Sequence, residues 1–381
     1  MNELSYVLVT PYTVAKSRTG GVIARLLSRA GDLELAGAQM IAPDAEFAES
    51  YASSLRQQAK PHPSALADYV VKNLSPFRGK PQRALFLLFR GENACDKLIR
   101  VCGHLYPEHR SIDDIGGETI RDTYADIIVS NDPEKFDYFE PAVLTPRNNK
   151  DACDDLLIFT KLLKNARNIT GSTERANAGT LERTLVIIKP ENWYFASARP
   201  GEIIDMFSQT GLKIIGVKVF SFTLEQALEF YAPVEGVLKN KLAPIFGMKA
   251  RELLEHHFSL PLNETIEKNL AESFGAAYAK DQFYQIVDFM SGQRPDRAGV
   301  RPAKCMVIVY EGENAVQKIR DVLGPTDPAK APAGTIRREF GSNVMINAAH
   351  ASDSTENFVR EKNIVQIDEN KALSVIEDYL R

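Results

Sequence analysis

The chain contains one fold-sized pattern twice. Leu85-Phe-Leu-Leu-Phe-Arg-Gly91-Glu-Asn-Ala-Cys-Asp-Lys97 recurs as Met306-Val-Ile-Val-Tyr-Glu-Gly312-Glu-Asn-Ala-Val-Gln-Lys318, and Glu118-Thr-Ile-Arg121 recurs as Gly334-Thr-Ile-Arg337. A tandem duplication restricts the architecture sharply, because each copy must be a unit able to form a core from the same order of elements. Earlier landmarks pair at a shorter spacing, Pro11 with Pro190 and Tyr51 with Tyr231. Roughly forty extra residues therefore lie in the second copy, between Tyr231 and the strand that begins at Cys305.

Hydrophobic periodicity supplies the element order. In the second copy, Leu185–Ile188 reads as a buried strand, Gly201–Phe207 as a helix entered through Pro200, Leu212–Thr223 as a strand and Leu224–Tyr231 as a helix. Cys305–Tyr310 follows as a strand, Ala315–Leu323 as a helix stopped by Gly324-Pro325, and Asn343–Ile346 as a short strand. This order approximates βαββαβ, so the expected class is α+β: two ferredoxin-like domains, each an antiparallel sheet with helices packed on it. The expected boundaries are 1–145 for the first copy, 146–180 for a helix and linker, and 181–381 for the second copy, with the insertion at about 235–280. The insertion has helix-like apolar spacing that Pro244, Gly247 and Pro261 are expected to interrupt, giving a small helical cap or subunit contact. Asp151–Ala166 reads as an amphipathic bridging helix, followed by a polar linker from Asn168 to Gly179.

Bulk properties exclude several functional classes. A net charge of -4 and a pI near 6.0 give no global attraction to nucleic acid or anionic membranes, so anions must be held by local basic clusters. The opening residues MNELSYVLVTPYT have neither the basic start nor the long apolar run of a secretory leader, and a cytoplasmic location is expected. Cys95, Cys102, Cys153 and Cys305 form no C-x-x-C pair, which points to reduced thiols rather than zinc or redox chemistry. His256-His257 has no accompanying ligand spacing, and no metal-binding residues are assigned.

The chemistry concentrates in Asn347-Ala-Ala-His350-Ala-Ser-Asp-Ser354, which holds one of only six histidines. No G-x-x-x-x-G-K-[ST] run is present, nor a protein-kinase motif set, so nucleotide chemistry needs another arrangement. Phosphoryl transfer requires positioning and neutralisation of phosphate oxygens, for which Lys189, Arg320 and Arg337 are the candidates. His350 could attack phosphorus directly if one ring nitrogen is tethered, and Glu361 is the candidate tether.

Together these separated motifs resemble the nucleoside diphosphate kinase family. The resemblance is carried by Arg183-Thr-Leu-Val-Ile-Ile-Lys189-Pro190, Gly201-Glu-Ile-Ile, Tyr231, Arg320, Leu323-Gly-Pro-Thr326-Asp-Pro328-Ala, Gly334-Thr-Ile-Arg337 and Asn347-x-x-His350-x-Ser352-Asp353-Ser354. It spans roughly residues 181–381 apart from the insertion. The resemblance implies transfer of the γ-phosphate of a nucleoside triphosphate such as ATP to a nucleoside diphosphate, by a ping-pong route through phospho-His350 and with Mg²⁺. It implies Lys189, Ser352 and Glu361 as further catalytic residues, with Ser352 and Glu361 orienting the ring. Lys189, Tyr231, Arg320, Thr326, Arg337 and Asn347 would surround phosphates and ribose, and Phe283 or its neighbour Gln282 is the counterpart of the family's base-stacking aromatic. The partners implied are nucleoside di- and triphosphates, without nucleic acid or membrane, and a homo-oligomer, dimer or higher. Ile346 and Ala351 stand where the family has Arg and Gly. The competing reading is a non-catalytic nucleotide-binding or regulatory module, which would bind nucleotide without forming a phosphoenzyme.

The first copy reads as catalytically silent. Thr10 occupies the lysine position, Tyr51 and Arg121 persist, and Arg100 is displaced by one residue from the position of Arg320. Counting without gaps from Tyr124, aligned with Phe340, brings Asn131 opposite Asn347 and Glu134 opposite His350. A carboxylate there would repel incoming phosphate.

Overall fold

The computed structural model describes residues 2–58, 63–105, 117–131, 135–171 and 181–381. In the first copy the elements are β1 (Asn2–Val9), α1 (Pro11–Ala15), α2 (Thr19–Arg29), β2 (Glu34–Ile41), α3 (Ala45–Gln57), α4 (Pro63–Leu74), β3 (Ala84–Glu92), α5 (Ala94–Cys102) and α6 (Ile120–Tyr124). They continue with β4 (Asp126–Val129), β5 (Phe136–Glu140), β6 (Val143–Leu144) and α7 (Asn149–Asn165). The second copy opens with β7 (Leu181–Ile188), α8 (Arg199–Ser208) and β8 (Lys213–Phe220). Next come α9 (Leu224–Phe258), α10 (Glu264–Leu270), α11 (Ala276–Ser291), β9 (Cys305–Glu313), α12 (Ala315–Leu323) and α13 (Ile336–Phe340). The chain finishes with β10 (Ala349–Ala351), α14 (Thr355–Ile364) and α15 (Lys371–Leu380).

The two sheets have the same strand order. One runs β6-β1-β3-β2 and the other β10-β7-β9-β8, so in each the fourth strand pairs with the first, and the third lies between first and second. This is the split βαβ arrangement of a ferredoxin-like fold. The hairpin β4–β5 forms a separate two-stranded sheet that only the first copy carries.

Strand alternation divides the first copy's residues between two cores. Val7 and Val9 face a core shared by both copies, which also takes in Val186, Ile188, Val217 and Met306. Leu4, Tyr6 and Leu8 face a second core covered by α3, α4 and α7, and Ala372 and Ile376 of α15 complete it. Helices α2 and α8 meet through Gly20 and Gly201. A Cβ on Gly201 would stand 2.1 Å from the Ala24 nitrogen, and one on Gly20 would stand 2.4 Å from the Asp205 nitrogen. Only residues lacking a Cβ allow the two backbones this approach.

Residues Phe220–Lys304 form a second compact unit, wider than the expected insertion. Within it α9 is one 35-residue helix: Pro244 and Gly247, expected to interrupt it, do not, and Pro233 is accommodated as well. Gly247 is instead a contact position, packed against Glu267 and Ala271 of the same unit, and this packing offsets the lost proline N–H bonds. The interruption falls at Ser259, which is left-handed at φ 51, just before Pro261. The segment expected as helix and linker also divides. Asn148 caps α7, which packs on β1 and α3 of the first copy, while residues 172–180 of the polar linker lie outside the described residues. The short strand expected at Asn343–Ile346 does not form. The Asn343 side chain accepts from the backbone N–H groups of Met345 and Ile346, both at 2.9 Å, and folds this segment into a turn. No helix among the described residues is long and apolar enough to cross a membrane.

Gly201→Ala is expected to destabilise the protein by about 3 kcal/mol through overpacking. Gly236→Ala, in a helix position with nothing within 4 Å, should stabilise it by about 0.5–1 kcal/mol. Urea unfolding of both variants checks the contrast.

Candidate active site

His350 is the middle residue of β10 and lies opposite Ile187 of β7, two residues before Lys189. The same antiparallel pairing therefore brings both residues to one end of the sheet. Just before β10 the chain turns sharply: Ala348 has φ 70, and the Ala349 N–H donates to the Asn347 carbonyl at 2.9 Å. The Lys189 N–H donates to the Ala348 carbonyl at 3.1 Å, and Glu191 accepts from the Ala348 N–H at 2.9 Å. A left-handed alanine costs roughly 1–2 kcal/mol and is tolerated here because three hydrogen bonds hold the turn.

The imidazole is fixed from one side. His350 Nε2 lies 3.1 Å from Glu361 Oε1, and Ser352 Oγ donates to Glu361 Oε2 at 2.6 Å. Glu361 stands on α14, which Ser354 caps, and its carboxylate is buried, with Arg360 3.6 Å away. The His350 side chain keeps 25% of its surface exposed. A carboxylate on Nε2 favours the tautomer with the proton there and the lone pair on Nδ1.

Lys189 is almost fully covered. Its ammonium donates to Asn347 Oδ1 at 2.9 Å and to the Met345 carbonyl, and Asn347 Nδ2 in turn donates to the Thr326 and Val344 carbonyls at 3.0 Å. Burial lowers the Lys189 pKa to about 8; Arg337 also lowers it, and Glu191 opposes the shift. Arg337 donates to the carbonyls of Gly324 and Ala349, at 3.0 and 3.2 Å. Arg320 is exposed and reaches the Asp353 carbonyl at 3.4 Å. Thus His350, Lys189, Asn347, Ser352, Glu361, Arg320, Arg337 and the Thr326 backbone are joined by short links through one loop-and-strand region. Tyr231 and Phe283, both buried, belong to the Phe220–Lys304 unit.

Three supporting residues escaped the sequence reading. Besides Glu191, Asn192 Nδ2 donates to the Lys189 and Ala348 carbonyls at 3.0 and 2.7 Å, and Arg199 donates to Asn192 Oδ1 at 2.7 Å and to the Phe340 carbonyl. Glu191 and Asn192 directly follow Lys189-Pro190 and Arg199 precedes Pro200, but these positions give no indication of which groups they reach.

The first copy retains this backbone while replacing its chemistry. Ala142 is left-handed at φ 60, the Thr10 N–H donates to its carbonyl at 3.1 Å, and Arg121 donates to the Gly103 and Val143 carbonyls. Leu144 pairs with Leu8 as His350 pairs with Ile187, so Leu144 occupies the histidine position. The ungapped count to Glu134 is overturned by the β4–β5 hairpin, which displaces the register; Glu134 itself lies outside the described residues. Asp155 follows its cap, Asn148, at the same spacing as Glu361 follows Ser354. It accepts from Tyr6 at 2.8 Å, Ser54 at 2.7 Å and Gln58 at 2.8 Å, and Tyr6 and Tyr51 hydroxyls are 2.7 Å apart. Burial, with Asp155 nearby, pushes both phenols well above their ordinary pKa. Tyr51 is thus part of a hydrogen-bonded cluster with Tyr6 and Asp155 in the core.

A family model described as nucleoside diphosphate kinase matches residues 182–240 and 258–370. The chain is 30% identical over 185 residues to a nucleoside diphosphate kinase of Fervidobacterium nodosum, covering 48% of this chain and 88% of that protein. It is 31% identical over 182 residues to one from Bdellovibrio bacteriovorus, covering 48% and 90%. Among solved structures, the Aquifex aeolicus nucleoside diphosphate kinase is 27% identical, covering 49% of this chain and 94% of that one, with a TM-score of 0.30.

Asp155→Ala is expected to cost about 3 kcal/mol, because it removes the shared acceptor of three donors, two of them buried. Denaturant unfolding checks this, and Asp154→Ala, one residue away at the surface, should stay within about 0.5 kcal/mol of the parent.

Proposed function

Because this chain belongs to the nucleoside diphosphate kinase family, we propose that its second copy moves the γ-phosphate of a nucleoside triphosphate to a nucleoside diphosphate through phospho-His350. The observation that carries this reading is the His350–Glu361–Ser352 chain beside Lys189 and Arg337. In the first half-reaction the Nδ1 lone pair of His350 attacks the γ-phosphorus. A nitrogen–phosphorus bond forms, the bond from phosphorus to the β–γ bridging oxygen breaks, and the diphosphate leaves with that electron pair. In the second half-reaction a terminal oxygen of the acceptor diphosphate attacks the same phosphorus, and the nitrogen–phosphorus bond breaks.

The side chains divide this work. Glu361 balances the positive charge that the ring acquires while Nε2 keeps its proton, and Ser352 holds the carboxylate. Lys189 and Arg337 neutralise the phosphate oxygens, with Arg320, Thr326 and Asn347 around phosphates and ribose. Tyr231 and Phe283, on the helical unit, are the further nucleotide-contacting candidates. Among the described residues no group of three or more His, Cys, Asp or Glu forms a metal cage. Mg²⁺ carried on the nucleotide's own oxygens would neutralise phosphate charge. The first copy, with Leu144 and Thr10 in place of His350 and Lys189, serves as scaffold.

Incubation with γ-labelled ATP should give an acid-labile, base-stable phosphoenzyme that unlabelled diphosphate discharges. His350→Ala should reduce transfer below about one-thousandth of the parent rate; transfer at the parent rate would refute the proposal, and nucleotide binding without any phosphoenzyme in the parent protein would favour the non-catalytic reading. Glu361→Gln should lower kcat about 10- to 100-fold, with a smaller change in KM.

A pH dependence follows from the lowered Lys189 pKa. The ammonium is protonated below about 8 and loses its charge above it, so kcat/KM should fall about tenfold per pH unit on the alkaline side. Lys189→Arg should carry that limb beyond about pH 10, whatever its cost in rate.

A further inference from the structure

We propose that a cleft between the two copies, remote in sequence from the His350 loop, binds a small organic phosphate. The cleft holds about 360 Å³ and is lined by the start of α2, the loop Lys80–Arg83, the end of α8, residues 211–214 and Tyr310. This volume lies at the small end of the range for ligand pockets. His350, Lys189, Arg320 and Arg337 do not line it.

Three observations define its chemistry. Lys80, Arg83 and Lys213 bring three positive charges from both copies, and no carboxylate lines the cleft among the described residues. Thr19 and Gly20, the first two residues of the eleven-residue α2, also line it and add the partial positive charge of a helix amino end. Finally, Tyr310 is 1% exposed, lines the cleft, and its hydroxyl has no hydrogen-bond partner among the described residues. A buried, unpaired phenol costs free energy unless a ligand satisfies it.

The cleft is also specific to one side of the helix pair. Gly31, which precedes β2, packs against Ala196, so that an added Cβ would stand 2.2 Å from the Ala196 Cβ. Gly211, which precedes β8, lines the cleft and has nothing within 4 Å of such a Cβ. Duplicated positions are thus closed on one side and open on the other, and the cations are on the open side. Val14, Ile204, Leu212 and Ile214 give the remaining walls an apolar character. A phosphate dianion matches the cations and hydroxyl donors better than a carboxylate does, since it offers more acceptor oxygens. The apolar walls take the organic part.

Phenyl phosphate, benzoate and inorganic phosphate, titrated calorimetrically into the full-length chain, test the proposal. Phenyl phosphate should bind saturably with a dissociation constant on the order of 1 mM or tighter, and more tightly than either other probe. Lys213→Glu should weaken it at least about tenfold and Tyr310→Phe about three- to tenfold, whereas His350→Ala leaves it unchanged. Tyr310→Phe removes no hydrogen bond among the described residues, so a loss reports on the ligand. Absence of saturable binding, binding unaffected by both cleft substitutions, or equal affinity for benzoate or inorganic phosphate would overturn it.

Discussion

Everything at the candidate site depends on a short antiparallel pairing. Three residues of β10 lie along β7, and the strand is too short to be secured by its own ladder. It is held by the turn at Ala348, whose carbonyl accepts from Lys189 and Asn192 and whose N–H is taken by Glu191. That turn couples the histidine to the lysine: backbone bonds space them, and side-chain bonds through Asn347 orient the ammonium. Burial disfavours the charge of that lysine.

Comparison of the copies separates scaffold from chemistry. The left-handed alanine, the arginine bridging two carbonyls and the strand order are common to both. These features are therefore conditions of the fold. The proposed reactive groups differ: leucine for histidine, threonine for lysine, and an aspartate locked by Tyr6, Ser54 and Gln58 for the glutamate that holds the imidazole. The arginine illustrates the hazard of carrying roles by motif alone. Arg121 remains although no histidine accompanies it, since its guanidinium ties the Gly103 and Val143 carbonyls.

Much was legible before the structure because it was encoded locally. The duplicated strand-and-helix segments and the α+β order follow from periodicity and internal repetition, and the full cluster around His350 from the resemblance to the nucleoside diphosphate kinase family. The failures had different causes. The ungapped alignment of the first copy missed a hairpin, since a two-stranded insertion leaves no mark on residues either side of it. Asn343–Ile346 has strand-like composition, yet a side-chain-to-backbone turn won. Pro244 and Gly247 look like breakers, but packing within the helical unit keeps α9 continuous.

By itself the sequence determined that there are two related units, that the second carries the histidine, lysine and arginines, and that Glu361 was the carboxylate to watch. Only the tertiary structure decided which imidazole nitrogen Glu361 engages, that Leu144 rather than Glu134 stands at the histidine position, and that the first copy's aspartate is sealed by hydroxyls from distant elements. It also decided that α2 and α8 touch at paired glycines and leave a basic cleft on one side. The physical reason is range: periodicity and turn chemistry act over a few residues, whereas register, burial and the partner of each polar atom depend on strands brought together across the whole chain.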